Sequence, residues 1–407
     1  MSVRRVAMLS LHTSPLAQPG AGDGGGMNVY VQSLASALAR AGVECDVLTR
    51  AEHGEQAPIV EVEPGFRVVH LDAGPRNVVP KAALVALVDE LVVAGRRHLA
   101  SAGEFDAIHA HYWVSGAVGH RLKHELDVPL VTTFHTLART KTVAGVSDDP
   151  PERHRIETEV AACTDRVVAS TTDESDELVD ALAADPARVE VIPPGVDHAM
   201  FSPGDRDDAR QRLGLGSAPV LLFVGRIQPL KGADLALRCL AELPDERAVL
   251  VVVGGPSGLD GPTELERLHA LAADLGVAER VHWVAPQPHA ALADWYRAAD
   301  VCIVPSRTES FGLVALEAAA CGTPVVASEV GGLRSLVTDG ETGFLVPGRS
   351  APDYAAPVSR LLADEVLAAQ MGAAAVARSH RYAWSITAAR LRRLYTDVGA
   401  RELVQCA

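Results

Sequence analysis

The feature that most constrains the fold of this chain is a repeated alternation of short apolar runs with amphipathic helical segments. The alternation runs through the first half of the 407 residues, pauses at the proline- and glycine-rich segment 193–204, and restarts at Val220. Apolar runs of about four to eight residues that alternate with helices are typical of a parallel sheet covered by helices on both faces. The sequence therefore predicts an α/β protein with two doubly wound, Rossmann-like domains.

The domain boundaries follow from where the alternation pauses. We assign residues 1–195 to the first domain and residues 205–383 to the second. The first helix is expected over Asn28–Ala41. The expected strands of the first domain are Val6–Leu11, Glu44–Thr49, Phe66–Leu71, Ala107–Ala110, Leu130–Thr133, Val167–Ala169 and Val189–Ile192. Those of the second are Val220–Gly225, Ala248–Val253, Val281–Trp283, Val301–Val304 and Val325–Ala327.

Composition excludes several classes of protein. A net charge of −15 argues against nucleic-acid binding through a broad basic surface. The six cysteines show no C-x-x-C pair, and we interpret them as buried thiols of a reducing compartment, neither disulfides nor zinc ligands. The apolar run that ends at His12 is too short for a signal peptide, and we expect no membrane span. These observations favour a globular cytoplasmic protein.

The segment Glu309–Glu317 is the most informative about function. It follows a predicted buried strand and leads into a helix, so its backbone N–H groups and the positive end of the helix dipole are available to a phosphate. Glu309 before the helix and Glu317 within it can accept hydrogen bonds from hydroxyl groups beside that phosphate. A nucleotide sugar has both kinds of group. The plain alternative is two ordinary surface carboxylates.

A second segment supports the same ligand. The apolar strand that ends at Gly225 is followed by Arg226 and Lys231 in a loop with proline and glycine. Basic residues in loops are usually solvated, but two of them at the carboxyl end of a parallel strand are well placed to hold a diphosphate.

The glycine-rich stretch Gly20–Gly26 lies between the first strand and the first helix, where it allows the backbone to approach a ligand closely. It lacks the G-x-G-x-x-G spacing, and the second strand ends in Thr49 and Arg50 without an acidic residue for a ribose. A nicotinamide dinucleotide site is therefore disfavoured. No spacing typical of metal ligands is recognised.

These motifs carry a family resemblance. The G-R-x-x-x-x-K-G and E-S-F-G-L-x-x-x-E segments resemble the donor site of retaining GT-B glycosyltransferases of the sucrose-synthase-like superfamily, glycosyltransferase family 4. The blocks His12–Val31, His109–Gly116 and His135–Ala138 are very similar to the D-inositol-3-phosphate N-acetylglucosaminyltransferases of the mycothiol pathway. The resemblance implies a GT-B fold with the two domains facing a cleft, and a C-terminal helix over 384–407 that packs back on the first domain.

The resemblance also implies site residues. The catalytic candidates are His135, Arg226, Lys231 and Glu309. The donor would be bound by Gly26, Arg226, Lys231, Glu309, Phe311, Gly312, Leu313 and Glu317. The acceptor would be bound by His12, Asp23, Asn28, Lys81, Tyr112, Thr136, His154 and Arg155. An arginine of the family's phosphate site falls on His154 here, with Arg153 and Arg155 on either side.

The implied reaction is retaining transfer of N-acetylglucosamine from UDP-N-acetylglucosamine to a cyclitol, 1D-myo-inositol 3-phosphate, with the leaving phosphate taking the acceptor proton. No cofactor is required, although the resemblance allows a structural Mg²⁺ ion and a homodimer. An unphosphorylated cyclitol, an aminocyclitol or a sugar phosphate remains open as acceptor. Two other classes remain open as well. A nucleotide-sugar epimerase would not need the acceptor residues, and a non-catalytic binding module would not need all four donor-site charges.

Overall fold

The computed structural model describes residues 3–143, 145, 149–258 and 261–406. The chain forms two compact units. Unit 1 contains residues up to 17, 27–193 and 384 onward, and unit 2 contains residues 18–26 and 194–383. Each unit is an α/β structure built on one sheet, so the predicted fold class is confirmed.

Unit 1 is built on an eight-stranded sheet. Its strand order is β3-β4-β2-β1-β5-β6-β7-β8, and each neighbouring pair is parallel except β3 and β4, which are antiparallel. The strands are β1 Arg5–Leu9, β2 Glu44–Arg50, β3 Ile59–Glu63, β4 Phe66–Leu71, β5 Ala107–His111, β6 Leu130–Thr133, β7 Arg166–Ala169 and β8 Val189–Val191.

The helices of unit 1 cover both faces of this sheet. They are α1 Gly26–Arg40, α2 Val88–Ala102, α3 Trp113–Leu126, α4 Ala138–Val143, α5 Glu152–Cys163 and α6 Thr172–Leu182, with 3₁₀ turns at Lys81–Leu87 and Pro186–Arg188, and the last helix of the chain, Trp384–Gly399. Alternate residues of β1 divide between the two faces, because successive side chains of a strand point in opposite directions. Val6 and Met8 pack in the cluster of α1 and the last helix, and Ala7 and Leu9 pack in that of α2 and α3.

The C-terminal helix belongs to unit 1. Leu391 and Tyr395 on it are fully buried in the same cluster as Val6. The helix ends at Gly399, eight residues before the expected end at 407, and residue 407 itself lies outside the described residues.

Unit 2 is built on a six-stranded sheet in which every neighbouring pair is parallel. Its order is β11-β10-β9-β12-β13-β14. The strands are β9 Val220–Val224, β10 Val249–Val253, β11 Val281–Val284, β12 Val301–Val304, β13 Val325–Ser328 and β14 Gly343–Val346. The order reverses between β9 and β12, and ligands of open α/β sheets bind at such a point, beyond the carboxyl ends of the strands.

The helices of unit 2 are α7 Arg206–Leu213, α8 Ala233–Glu242, α9 Gly261–Asp274, α10 Leu292–Ala298, α11 Leu313–Ala320, α12 Leu333–Leu336, α13 Ala351–Ala363 and α14 Glu365–Ser379. Short 3₁₀ turns lie at Pro229–Lys231, Ala278–Arg280 and His289–Ala291. The last helix of unit 1, Trp384–Gly399, is α15. Throughout the described ranges, no helix is both long enough and apolar enough to cross a membrane.

Two cysteines depart from the sequence interpretation. Cys45, Cys239, Cys302 and Cys321 are buried free thiols as expected. Cys163 and Cys406, in contrast, are joined as a disulfide in the structure, with their Cα atoms 5.2 Å apart. The interpretation of all six cysteines as unpaired thiols is therefore wrong for this pair, because folding brings together residues separated by 243 positions.

Candidate functional site

In unit 2 the basic pair lies at the carboxyl end of β9. Arg226 and Lys231 follow the strand, and Lys231 closes the 3₁₀ turn Pro229–Lys231. The next residue, Gly232, has a φ of 74°, and a Cβ there would lie 2.2 Å from the carbonyl oxygen of Pro305. Only glycine fits this close approach, which holds the lysine loop against the residue that follows β12.

The Lys231 ammonium meets the first glutamate. Its Nζ lies 2.6 Å from Oε2 of Glu309, and both side chains are about one-fifth exposed. Ser306 donates to the same oxygen at 3.2 Å, and the backbone carbonyl of Glu309 accepts from the amide of Gly332 at 2.9 Å. The structure thus brings Lys231 and Glu309 together at the switch point of the sheet, as the sequence predicts for residues of one site.

Helix α11 begins immediately after this loop. Gly312 precedes it, and Leu313 is its first residue. The first-turn amides of a helix have no partners within the helix, and they point along its positive dipole end. Phe311 is 5% exposed and packs edge-on against Tyr382, with ring centroids 5.7 Å apart, so the segment that leads into the helix is fixed in position. This terminus can hold an anion.

Glu317 lies inside the same helix and is nearly buried. Tyr296 donates its hydroxyl proton to Oε2 at 2.8 Å, and Nε2 of His289 lies 2.7 Å from Oε1. Burial lowers the pKa of His289, but the Glu317 carboxylate outweighs it and holds that pKa above its usual value. Burial and the same carboxylate raise the pKa of Tyr296 well above its usual value. Since each carboxylate oxygen has a second lone pair, the expected bonds to ribose hydroxyls are compatible with these contacts and stay a prediction.

The glycine-rich loop, which the sequence assigns to the first domain, groups with unit 2. The Gly255 amide donates to the carbonyl of Gly20 at 2.9 Å. A Cβ on Gly25 would lie 3.1 Å from Nε of Arg226, and one on Gly26 would lie 3.6 Å from the Leu313 side chain. The loop therefore lies directly beside two predicted donor residues, and Asp23 is a half-buried residue within it.

In unit 1, three histidines gather on β5 and just after β6. His109 is fully buried, with Nδ1 2.7 Å from the Tyr395 hydroxyl and Nε2 2.9 Å from Oγ1 of Thr133. Nδ1 of His111 lies 3.1 Å from Nε2 of His135. Burial lowers the pKa of His135 to about 3. Burial, then the neighbouring His135, lowers the pKa of His109 to about 3 as well. Neutral imidazoles therefore surround the predicted catalytic position.

Two residues here adopt backbone conformations that are unusual for side chains of their size. Tyr112, after β5, has a φ of 78°, and His135, after β6, has a φ of 63°. Such conformations cost free energy and cluster at functional sites. Both residues belong to the predicted site, and both follow the carboxyl end of a strand.

Tyr112 and Thr136 are brought together by an arginine that the sequence prediction did not select. Arg153 is completely buried, and it donates to the Tyr112 hydroxyl at 3.0 Å and to the carbonyl and hydroxyl of Thr136 at 2.5 and 3.1 Å. Its guanidinium also lies 4.8 Å over the Tyr112 ring. His154 and Arg155, the predicted residues, are exposed, and Arg155 pairs with Glu159 at 2.5 Å. The assignment of His154 and Arg155 to the acceptor stays a prediction; of these three neighbouring residues, Arg153 is the one on the inner face of α5.

Acidic residues balance the charge of Arg153. Its Nε lies 2.6 Å from Glu157, and Nη1 lies 2.8 Å from Asp149. Burial works against the charged arginine, but Tyr112, Glu157 and Asp149 together raise its pKa above the usual value. Burial raises the pKa of Glu157, although Arg153 and the Ala138 amide partly offset this.

Three other acceptor candidates, His12, Asn28 and Lys81, are connected to Tyr112 directly or through neighbouring residues. The His12 ring packs on the Tyr112 ring with centroids 4.3 Å apart. The buried Asn28 amide donates to the hydroxyl of Thr13 at 2.9 Å and to the carbonyl of Ser14 at 2.5 Å, so it fixes the segment that carries His12. Lys81 is half-buried at the start of its 3₁₀ turn, which is anchored by Leu84 in the core cluster of Tyr112.

Two family models match the two halves of the chain. Residues 25–195 match the model of the glycosyl transferase 4-like domain, and residues 205–378 match that of the glycosyl transferases group 1. A D-inositol 3-phosphate glycosyltransferase of Geodermatophilus obscurus is 49% identical over 97% of this chain and 89% of its own length. D-inositol 3-phosphate glycosyltransferase 2 of Catenulispora acidiphila is 47% identical over 97% of this chain and 95% of its own. The sucrose-phosphate synthase of Thermosynechococcus elongatus superposes with a TM-score of 0.92 at 33% identity, over 98% of this chain and 99% of its own.

Proposed function

Because this chain belongs to the GT-B glycosyltransferases of group 1, we propose that it transfers N-acetylglucosamine from UDP-N-acetylglucosamine to 1D-myo-inositol 3-phosphate with retention of configuration. The observation that carries the acceptor is the identity of 47% and 49%, over nearly the whole chain, to relatives named D-inositol 3-phosphate glycosyltransferases. In this proposal the enzyme works in the cytoplasm, as a step of mycothiol biosynthesis, and a homodimer is compatible with it.

We assign the donor to unit 2. Arg226, Lys231 and the first-turn amides of α11 would stabilise the negative charge that develops on the departing diphosphate. The ion pair between Lys231 and Glu309 places a cation and a carboxylate side by side at the end of β12. The cation suits the diphosphate, and the carboxylate suits the hydroxyl groups of the transferred sugar.

We assign the acceptor to unit 1. A phosphate monoester carries nearly two negative charges near neutral pH and prefers charged and hydroxyl donors. Lys81, Tyr112 and Thr136 have these groups. Arg153 acts as a positioning residue in this proposal, because it holds Tyr112 and Thr136 while its own charge is balanced by two carboxylates.

The proton of the acceptor hydroxyl passes to an oxygen of the leaving phosphate in this mechanism. A histidine whose pKa is about 3 is a weak base, so His135 would shape the surroundings of the sugar as a neutral ring and would not accept that proton. The proposal includes no metal ion in the transfer step.

The experiment is a matrix of UDP release with several nucleotide-sugar donors against inositol 3-phosphate, free inositol and an aminocyclitol. We expect turnover to be fastest with UDP-N-acetylglucosamine and inositol 3-phosphate. Lys81→Ala should raise the KM for inositol 3-phosphate by about tenfold or more and leave the donor KM near wild type, since a charged phosphate contact is stronger than a neutral one. Faster turnover with free inositol or an aminocyclitol would contradict the phosphate assignment.

A sugar phosphate is the second candidate acceptor. It is supported by the TM-score of 0.92 and 33% identity to a sucrose-phosphate synthase. Adding hexose phosphates to the same matrix distinguishes the two, because both acceptors carry a phosphate and differ only in the ring that bears the reacting hydroxyl.

A further inference from the structure

Four side chains with soft or imidazole ligand atoms converge in unit 1 away from the residues assigned to substrates. They are His120 and His124 of α3, Cys163 at the end of α5, and Cys406 near the C-terminus. One ligand atom from each lies within 4.8 Å of all the others. Nε2 of His120 is 3.2 Å and Nε2 of His124 is 2.9 Å from Sγ of Cys406. Both rings therefore point at the same sulfur.

The spacing on α3 explains part of this convergence. His120 and His124 are four residues apart, so they lie on one face of the helix, one turn from each other. Their ring centroids are 5.3 Å apart in an edge-to-face arrangement. Two histidines at this spacing on one helical face are a frequent half of a zinc site.

A buried ion pair brings Cys406 to this helix. Lys123 is fully buried, and its Nζ donates to the carbonyl of Cys163 at 2.7 Å, to Asp165 at 2.9 Å and to the carbonyl of Val404 at 2.9 Å. The Val404 amide donates to the same carboxylate oxygen of Asp165 at 2.7 Å. The backbone two residues before Cys406 is thus fixed, and so is the backbone of Cys163 itself. The cluster is held in place by neighbouring contacts that do not involve its own ligand atoms.

We propose that His120, His124, Cys163 and Cys406 form a structural Zn²⁺ site that fastens the C-terminal segment to helices α3 and α5. Two thiolates and two neutral imidazoles are a complete tetrahedral ligand set for zinc, with no position left for a substrate. The site is separate from the transfer reaction, which needs no metal in the proposed mechanism.

A disulfide between Cys163 and Cys406 explains only half of the arrangement, since it gives no role to the two imidazoles directed at Cys406. The two states are related by a balanced exchange. A dithiol reductant supplies two electrons and two protons to the disulfide and is itself oxidised to a disulfide. Zn²⁺ then replaces the two thiol protons, which pass to solvent. In a reducing compartment the zinc form is the expected one.

The test is the metal content of the full-length, tag-free protein, purified under reducing conditions and dialysed against buffer without chelator. Elemental analysis should give about one zinc per chain for the wild type. Cys406→Ser and His124→Ala should each lose most of it; both residues are at least partly exposed, so these variants are expected to fold. His53→Ala, an exposed histidine of the same unit, is the matched control and should keep the zinc.

Cobalt gives a readout that does not depend on activity or folding yield. The Co²⁺-loaded wild type should show the intense visible bands of tetrahedral coordination together with thiolate charge transfer, and Cys406→Ser, with one thiolate fewer, should show a much weaker charge-transfer band. Equal zinc in all four proteins would mean adventitious binding and would overturn the proposal. Absence of zinc in the wild type, with a mass two hydrogens lower than the reduced chain, would overturn it in favour of the disulfide alone.

Discussion

Two arginines of helix α5 form the same kind of ion pair in different surroundings. Arg153 pairs with Glu157 at 2.6 Å and Arg155 pairs with Glu159 at 2.5 Å, in both cases four residues apart. The side chains of the first pair are 0% exposed, whereas those of the second are 63% and 53% exposed. Arg153→Ala and Arg155→Ala are therefore matched changes that differ in burial and in the contacts of Arg153 to Tyr112.

The expected decreases in unfolding free energy differ by about an order of magnitude. Removing Arg153 leaves the carboxylate of Glu157 buried without its cation, which costs roughly 3–5 kcal/mol for a pair of this kind. Removing Arg155 costs about 0.5 kcal/mol or less, because water screens an exposed pair on a helix. For a unit of this size, 1 kcal/mol shifts the melting temperature by about 2–4 °C, so Arg153→Ala should melt about 6–20 °C below the wild type. Arg155→Ala should melt within about 2 °C of it.

Thermal unfolding, followed by the acceptor KM of the variants that remain folded, checks this reasoning. Arg153→Lys keeps the charge but loses the forked bonds to Tyr112 and Thr136. It should therefore raise the acceptor KM more than the donor KM. Equal melting temperatures for the two alanine variants would refute the burial argument. A larger rise of acceptor KM for Arg155→Ala than for Arg153→Lys would restore the exposed arginine to the site.

Three further predictions follow from the donor residues and the histidines. Arg226→Ala or Lys231→Ala should lower kcat by on the order of a hundredfold through lost stabilisation of the diphosphate, and single-turnover rates within about threefold of wild type would remove them from the site. In calorimetric titration with UDP, Glu317→Gln should weaken binding more than Glu309→Gln, and the reverse order would exchange their roles. His109 has a pKa of about 3 in the folded protein and about 6.5 in the unfolded chain. Below about pH 6.5 the unfolded chain therefore binds more protons than the folded protein. The free energy of unfolding then decreases as the pH falls from about 6.5 towards about 3. At pH 5 the unfolding free energy should be lower by about 2 kcal/mol for this reason. Urea unfolding of His109→Asn should not show this decrease. If the unfolding free energies of wild type and His109→Asn change with pH in parallel, the prediction is contradicted.

The main elements of the fold were predictable because most strands are short and mainly apolar runs. The strand expected over Val301–Val304 has these bounds in the structure, and the helix expected over Asn28–Ala41 occupies Gly26–Arg40. Strands β14, Gly343–Val346, and β3, Ile59–Glu63, were missed. The reason is clear for β3. It is an antiparallel edge strand that carries two glutamates and is mostly exposed or half-buried, so it lacks the apolar run of a buried parallel strand.

The candidate site was predictable where each residue follows a recognisable apolar strand, and not where its place depends on which face of a helix is buried or on a distant part of the chain. Lys231 and Glu309 were each selected by their position after an apolar strand, and the sheet order then placed them in contact. Arg153 was missed because local similarity cannot tell which side of α5 faces inward. The sequence signal that could have found it is Ile156, Glu157 and Val160, which share its buried face at helical spacing. The cluster of His120, His124, Cys163 and Cys406 could not be found from spacing, since it combines a helical pair with two cysteines 243 residues apart.

The lowered pKa of the histidines bears directly on the path of the proton in the proposed reaction. An imidazole with a pKa of about 3 binds a proton about a thousandfold less tightly than a phosphate oxygen with a pKa of about 6. A proton released from the acceptor hydroxyl is therefore more stable on the leaving phosphate than on His135. The cause is burial: His111 lies 3.1 Å away and Tyr30 packs edge-on at 4.9 Å, so a positive charge on the His135 ring would be desolvated. In the proposed mechanism His135 therefore contributes binding and orientation, and the leaving phosphate takes the proton.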